Sequence, residues 1–160
     1  MALYLEAWED LKMNKFDWKC YLKTTNQRRS ISAALLLVRL AMGIAFMYHG
    51  WGKIQIPMSW MPADSGVPGI LQFLAALSEF GGGIALILGL ITRVAMTGLA
   101  FTMAVAVFMH AVTMKHPFVS MTAGGPSYEL AGIYFTLTIL FLATGAGKYS
   151  LDAKIFGQKG

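Results

Sequence analysis

Cysteine and charge are what this sequence has least of. One cysteine, Cys20, stands among 160 residues. No disulfide can form within one chain and no CxxC pair exists, which argues against a membrane thiol oxidoreductase, whose chemistry needs paired thiols. Charged residues make up 13% of the chain and hydrophobic ones 56%, where an average soluble domain carries about 25% charged residues. Too few charges remain to solvate a soluble surface, so the chain reads as an integral membrane protein. An apolar leader is missing too: MALYLEAWEDLKMNKFDWKCYLKTTNQRRS scatters acids among aromatics. No cleavable signal is expected, and the first span should serve as an uncleaved anchor.

What the chain has instead is apolar runs. Four segments of roughly 20 residues each satisfy the length needed to cross a bilayer: 31–50, 69–91, 92–114 and 128–147. The expected fold is all-α, a four-helix transmembrane bundle. A cytoplasmic or interfacial arm (1–30) precedes the transmembrane domain (31–152), and a cytoplasmic tail (153–160) follows. Lys12, Lys15, Lys19, Lys23, Arg28 and Arg29 lead into the first span, Arg93 marks the second turn, and Lys148, Lys154 and Lys159 follow the last span. The other loops hold Lys53 and Lys115. Basic residues favour the cytoplasmic side, so both termini are expected there. This topology and attraction to anionic lipid account for the net charge of +5, with no nucleic-acid partner. Tyr4, Trp8, Leu11, Phe16, Trp18 and Tyr21 give the arm an aromatic character, suited to lying in the headgroups or to docking on a partner subunit.

A duplication runs through the spans. RLAMGIAFMYHG in the first and RVAMTGLAFTMAVAVFMHA in the third both begin Arg-x-Ala-Met and reach a histidine, Arg39 to His49 and Arg93 to His110. The second and fourth hold EFGGGI and ELAGI, with Glu79 and Glu129 each followed by a glycine three residues on. Two tandem hairpins of the same orientation are the architecture this order implies.

Ionisable groups are expensive inside a bilayer. Counting along the helices places Arg39 and Glu79 near mid-membrane, where they are expected to form a structural ion pair. Arg39, Gly43, Phe46, Gly50 and Lys53 share one helical face with His49 at its edge; Gln72, Ala75, Ala76, Glu79, Gly82 and Gly83 form a comparable face, and Glu129, Gly132, Thr136 and Ala143 a third. Small residues let helices approach closely in lipid, which accounts for most of these glycines without any function. The segment FMYHGWGKIQ, residues 46–55, gathers polar groups at the outer end of the first span. There His49, Lys53, His110 and Glu129 are expected to converge, with His116 left in solvent. Tyr48 and Trp51 suit an aromatic belt.

Two histidines on different helices at similar depth admit several readings. One is a quinone headgroup site, with His49, His110 and Glu129 exchanging protons and Tyr48, His49, Lys53 and His110 contacting the ring. Bis-histidine haem ligation is disfavoured because Lys53 would crowd it. A metal site suits imidazole, yet no metal is expected. The bland alternative is an interhelical hydrogen-bond network.

LLLVRLAMGIAFMYHGWGK, FLAALSEFGGGIALILGLITR and the closing GAGKYSLD resemble the DoxX family of small four-helix membrane proteins. The resemblance spans residues 33–152 and rests on Arg39, the His49-Gly50-x-x-Lys53 turn, Glu79 with Gly82 and Gly83, the Thr92-Arg93 turn and Glu129, in that order. It implies association with quinone-dependent oxidoreductase complexes, including thiosulfate:quinone oxidoreductase, in a bacterial- or archaeal-type cytoplasmic membrane. The leading expectation is a membrane subunit of a quinone-linked electron-transfer complex, partnered by lipid and by other subunits. Any enzyme activity would be that of a quinone-dependent oxidoreductase subunit. The alternatives are a non-catalytic accessory subunit packing against a larger membrane complex and, less favoured for want of broken helices, a small-solute carrier.

Overall fold

The computed structural model describes residues 18–159. Residues 1–17, with Tyr4, Trp8, Leu11 and Phe16 of the aromatic arm, lie outside the described residues. Helix α1 (Trp18–Leu22) leads through a two-residue strand β1 (Thr24–Thr25) into α2 (Arg29–Gln55), followed by α3 (Gly69–Leu88), α4 (Thr92–Phe108), α5 (Glu129–Thr144), α6 (Leu151–Ile155) and β2 (Gln158–Lys159). A π-helical turn, Met109–Thr113, extends α4.

The long helices α2, α3 and α4 with its extension are apolar and long enough to cross a membrane. Helix α5 is apolar but has 16 residues, about 24 Å. That is shorter than the 128–147 span expected, because Gly145, at φ 71°, ends it. Helix α2 runs 27 residues, past both expected ends: HGWGK does not break it, and Lys53 sits in its last turn rather than in a loop. The result is a helical membrane bundle.

Glycines set how α2 and α3 pack. A Cβ built on Gly83 would lie 2.8 Å from the Gly43 carbonyl oxygen, and one on Gly50 would lie 2.6 Å from the Phe80 nitrogen. Such approach is open only to bare backbone and gives dispersion contact along the whole pair. Most of the faces expected on α2 and α3 is buried: Arg39, Gly43, Phe46 and Gly50, joined by Met42, and Gln72, Ala76, Glu79, Gly82 and Gly83, joined by Leu86, while Lys53 and Ala75 are half-buried. The face expected on α5 is not. Thr136 and Ala143 are exposed, and Tyr134, Thr138 and Phe141 turn inward instead. Helix α5 is apolar on all sides, so its sequence period does not choose a face; bulk does.

The hairpins close differently from the expected ion pair. Arg39 does not meet Glu79. Its guanidinium, 1% exposed, donates from Nε to Leu86 O (2.8 Å) and from Nη2 to Ile87 O (3.0 Å), at the end of α3. Its Nη1 donates to Ala146 O (2.8 Å) and Tyr149 O (3.0 Å), beyond α5. The reason is register. The close approaches of Gly43 to Gly83 and of Gly50 to Phe80 set Arg39 against the last turn of α3, and put Glu79 about two turns, roughly 11 Å, further along. Carbonyls at a helix C-terminus are unpaired and partly negative, so a cation there is favourable.

Arg93 does the same in the second hairpin. It donates to Ala143 O near the end of α5 (3.1 Å) and to Tyr21 O (2.8 Å). Each Arg-x-Ala-Met arginine thus ties down the last turn of its own hairpin partner.

One turn knits this end together. Gly89, at φ 64°, ends α3 with Leu90 N donating back to Ala85 O; a Cβ there would lie 2.6 Å from the Arg39 guanidinium. No local side chain caps α4. Asp152 does so from far along the chain, accepting from Ile91 N (2.6 Å) and Thr92 N (2.9 Å). Ser150 caps α6 and thereby sets Asp152 in place. The parallel pair β1–β2 and the Trp18–Phe156 ring contact lay the arm's end against the tail.

Candidate functional site

At the opposite end of the bundle helices α2 to α5 line an open cavity of about 320 Å³, walled by Phe46, His49, Lys53, Glu79, Met103 and His110, with Ser127, Leu130, Ala131 and Tyr134 on the α5 side. Helix α2 places Phe46, His49 and Lys53 at spacings of three and four, one face of a helix. Helix α3 contributes Glu79, α4 and its extension Met103 and His110, and α5 Tyr134.

The charged group here is the Lys53–Glu79 pair. The ammonium donates to both carboxylate oxygens, at 2.6 and 2.7 Å. Glu79 is 4% exposed and Lys53 27%, so the carboxylate is inside and the lysine reaches the rim. Lys53 also lies 4.6 Å from the ring centroid of Trp60, a cation–π contact. Trp60 is held in turn: its Nε1 donates to Gln72 O (2.9 Å). The Gln72 amide accepts from Met61 N and donates to Val67 O, both at 2.9 Å. Buried Gln72 therefore staples the 56–68 loop over the lysine.

His110 stands in the π-helical turn, where one extra residue redirects side chains. Its Nδ1 lies 3.0 Å from Nδ1 of His116, and His116 N donates to His110 O (2.9 Å). Facing nitrogens at hydrogen-bond distance share one proton: one donates and the other accepts. His116 is therefore a half-buried partner, not the solvated residue expected. Tyr134 bridges the other side, its ring 4.8 Å from Phe46 and 6.3 Å from His49.

Of the expected site residues, His49, Lys53 and His110 share the cavity. Glu129, half-buried in the first turn of α5, is not among the described residues that line it. Tyr48 points the other way. It is 82% exposed and lines a separate apolar groove with Ile44, Met47, Trp51 and Phe80. Sequence reasoning missed Glu79 as the partner of Lys53, left His116 in solvent, and gave Trp60 and Tyr134 no place at the site. The glycine contacts carried the first: the approach of Gly50 to Phe80 brings Lys53 within one turn of Glu79, inside the reach of a lysine side chain.

The family model for DoxX matches residues 34–111. An uncharacterized protein of Haemophilus influenzae is 35% identical over 76% of this chain and 90% of its own length. The chain belongs to the DoxX family. The inner membrane protein YqjF of Escherichia coli is 34% identical over 74% of this chain and 88% of its own. A Bacillus subtilis protein with the printed name "Putative oxidoreductase CatD" is 29% identical over 82% and 93%. No solved structure matches the chain. The DoxX match takes in Arg39, His49, Lys53, Glu79, Arg93 and His110, and stops before Tyr134 and Asp152.

Proposed function

We propose that this DoxX protein is the membrane subunit of a quinone-linked redox complex and that its cavity holds the quinone headgroup. The observation that carries the reading is a single apolar cavity that presents an ammonium and two imidazoles. Its size, near the lower end of the range for small-molecule sites, fits one ring and leaves an isoprenoid tail outside. Phe46, Met103, Leu130 and Tyr134 supply apolar walls. Lys53, Nε2 of His110 and His49 supply donors for ring oxygens, and Glu79 fixes the lysine's direction. When bound, a quinone supplies two-electron, two-proton redox capacity. The protein's part is to orient the ring and to carry protons, with the His110–His116 contact as the relay toward the surface. The name of the Bacillus subtilis relative supports a redox reading.

The termini end, with Lys23, Arg28, Arg29, Arg93, Lys148 and Lys154, is proposed as cytoplasmic and the cavity end as facing out. A reporter fused at the C-terminus and active only outside the cytoplasm tests this by staying silent. Partner subunits would dock on the cytoplasmic side through the N-terminal arm.

The test is quinone content and affinity. Protein purified from membranes is expected to retain quinone, and Lys53→Met or His110→Ala to weaken binding at least about tenfold, the loss of one charge-assisted hydrogen bond. A protein free of quinone, indifferent to it, and stable only when attached to other subunits would replace this reading with the accessory one.

A further inference from the structure

We propose that the cavity is entered sideways from the bilayer, through the seam between α2 and α5, and that Tyr134 is the gate. The ligand class this selects is a flat, weakly polar ring compound dissolved in lipid. A water-borne solute is refused. The identity of that compound as a quinone rests on the reading above; the route does not.

Among the described residues helices α2 to α5 meet at four seams, and three are closely packed. Between α2 and α3, Gly43, Gly50 and Gly83 bring backbones into contact. Between α3 and α4, Gly82 lies against Leu99 and Gly98 against Ser78, and α4 and α5 pack extensively. The seam between α2 and α5 is different. At the termini end it is pinned, by the Arg39 bonds to Ala146 and Tyr149 and by Gly147 against Ser32 and Leu35. Toward the cavity end the two helices share few close backbone approaches. There the ring of Tyr134, against Phe46 and His49, bridges them. A seam closed by glycines opens only if helices part. One closed by a half-buried ring opens by rotation about side-chain bonds, a motion far faster than any helix displacement.

The surroundings agree. His49 and Leu130 line the cavity and are also exposed on the bundle's flank, the surface that faces acyl chains. The end toward water is partly covered: Trp60 lies over Lys53, stapled by Gln72, and Ser127 lines the α5 side, beside the edge-to-face rings of Phe118 and Tyr128.

The experiment uses the full chain in lipid vesicles with Cys20→Ser, which removes the only native thiol, and Ala131→Cys on the cavity wall. Its modification by N-phenylmaleimide, which partitions into lipid, is compared with that by a charged methanethiosulfonate, which does not. Each rate is normalised to Met121→Cys, a residue 96% exposed in the loop. The lipid-soluble reagent is expected to be strongly favoured at Ala131→Cys. Tyr134→Ala should accelerate it several-fold and Tyr134→Trp slow it, while Tyr134→Phe, which keeps the ring and so controls for folding, leaves it unchanged. Equal access by the charged reagent, or rates indifferent to both Ala and Trp at 134, overturns the portal. Labelling through the seam that a short-chain quinone fails to block overturns the quinone reading and supports the portal. Block by quinone with entry from water does the reverse.

Discussion

Lys53 and Glu79 are each other's partner, ammonium against both carboxylate oxygens within 2.7 Å, one on the last turn of α2 and the other two turns from the end of α3. Glu79 is the buried member, so the two residues are not equivalent. Removing the lysine strands a carboxylate in a low-dielectric interior; removing the acid frees a lysine that already reaches the rim. Lys53→Met is therefore expected to cost about 3 kcal/mol, the low end for a broken buried pair because Lys53 is partly exposed. The double variant Lys53→Met, Glu79→Leu should recover much of the loss. Thermal unfolding in detergent checks this, and additive losses in the double variant would contradict it.

Glu79→Ala is expected to lower the melting temperature more than Glu129→Ala. The first breaks two short charge-assisted bonds at a buried site. The second removes a half-buried carboxylate near a helix N-terminus, where a negative charge contributes about 0.3–1 kcal/mol. Equal melting of the two would refute the ranking.

Arg39 feeds four carbonyls from one planar fork. A lysine cannot reproduce that geometry, since its donors radiate from a single atom. Arg39→Lys should keep the charge yet lose at least about 2 kcal/mol. A lysine variant that melts with the wild type would show that charge alone suffices there.

Glycine positions separate cleanly. Gly83→Ala forces a methyl within 2.8 Å of the Gly43 carbonyl and 2.9 Å of Met47 N. It should destabilise by about 1–3 kcal/mol, as overpacking does. Gly52→Ala, in the same helix pair with nothing within 4 Å, should be neutral or gain up to about 1 kcal/mol in helix propensity. Detergent melting of the two variants reads the difference directly.

Asp152→Ala is expected to cost about 1–2 kcal/mol, the upper part of the range for a lost helix cap, because both carboxylate oxygens accept. Asp152→Asn should lose part of that, since an amide accepts through one oxygen only. Hydrogen exchange at the Ile91 and Thr92 amides would report the loss locally.

Much of the architecture was legible in the residues themselves. Apolar length gave the membrane helices, and helical spacing of Gly43, Phe46, Gly50, Glu79 and Gly83 gave the buried faces of α2 and α3. The Arg-x-Ala-Met echo pointed to two like hairpins, but not to what Arg39 and Arg93 bind. Pairing was harder. Depth counted from assumed span ends put Arg39 beside Glu79, while α2 actually starts well before α3 ends, and only the glycine contacts fix that offset. The face read on α5 from Glu129, Gly132, Thr136 and Ala143 was not the buried one, so Tyr134 stayed hidden. The His110–His116 contact depends on a π-helical turn that no spacing rule announces.

The cap that Asp152 places on the start of α4 has a consequence for biosynthesis. The ribosome releases the second connection some sixty residues before the carboxylate that completes it, so the inserting chain carries a loose joint until Asp152 emerges. Asp152 is the clasp of that joint, and a chain cut short just ahead of it should be met by membrane proteases.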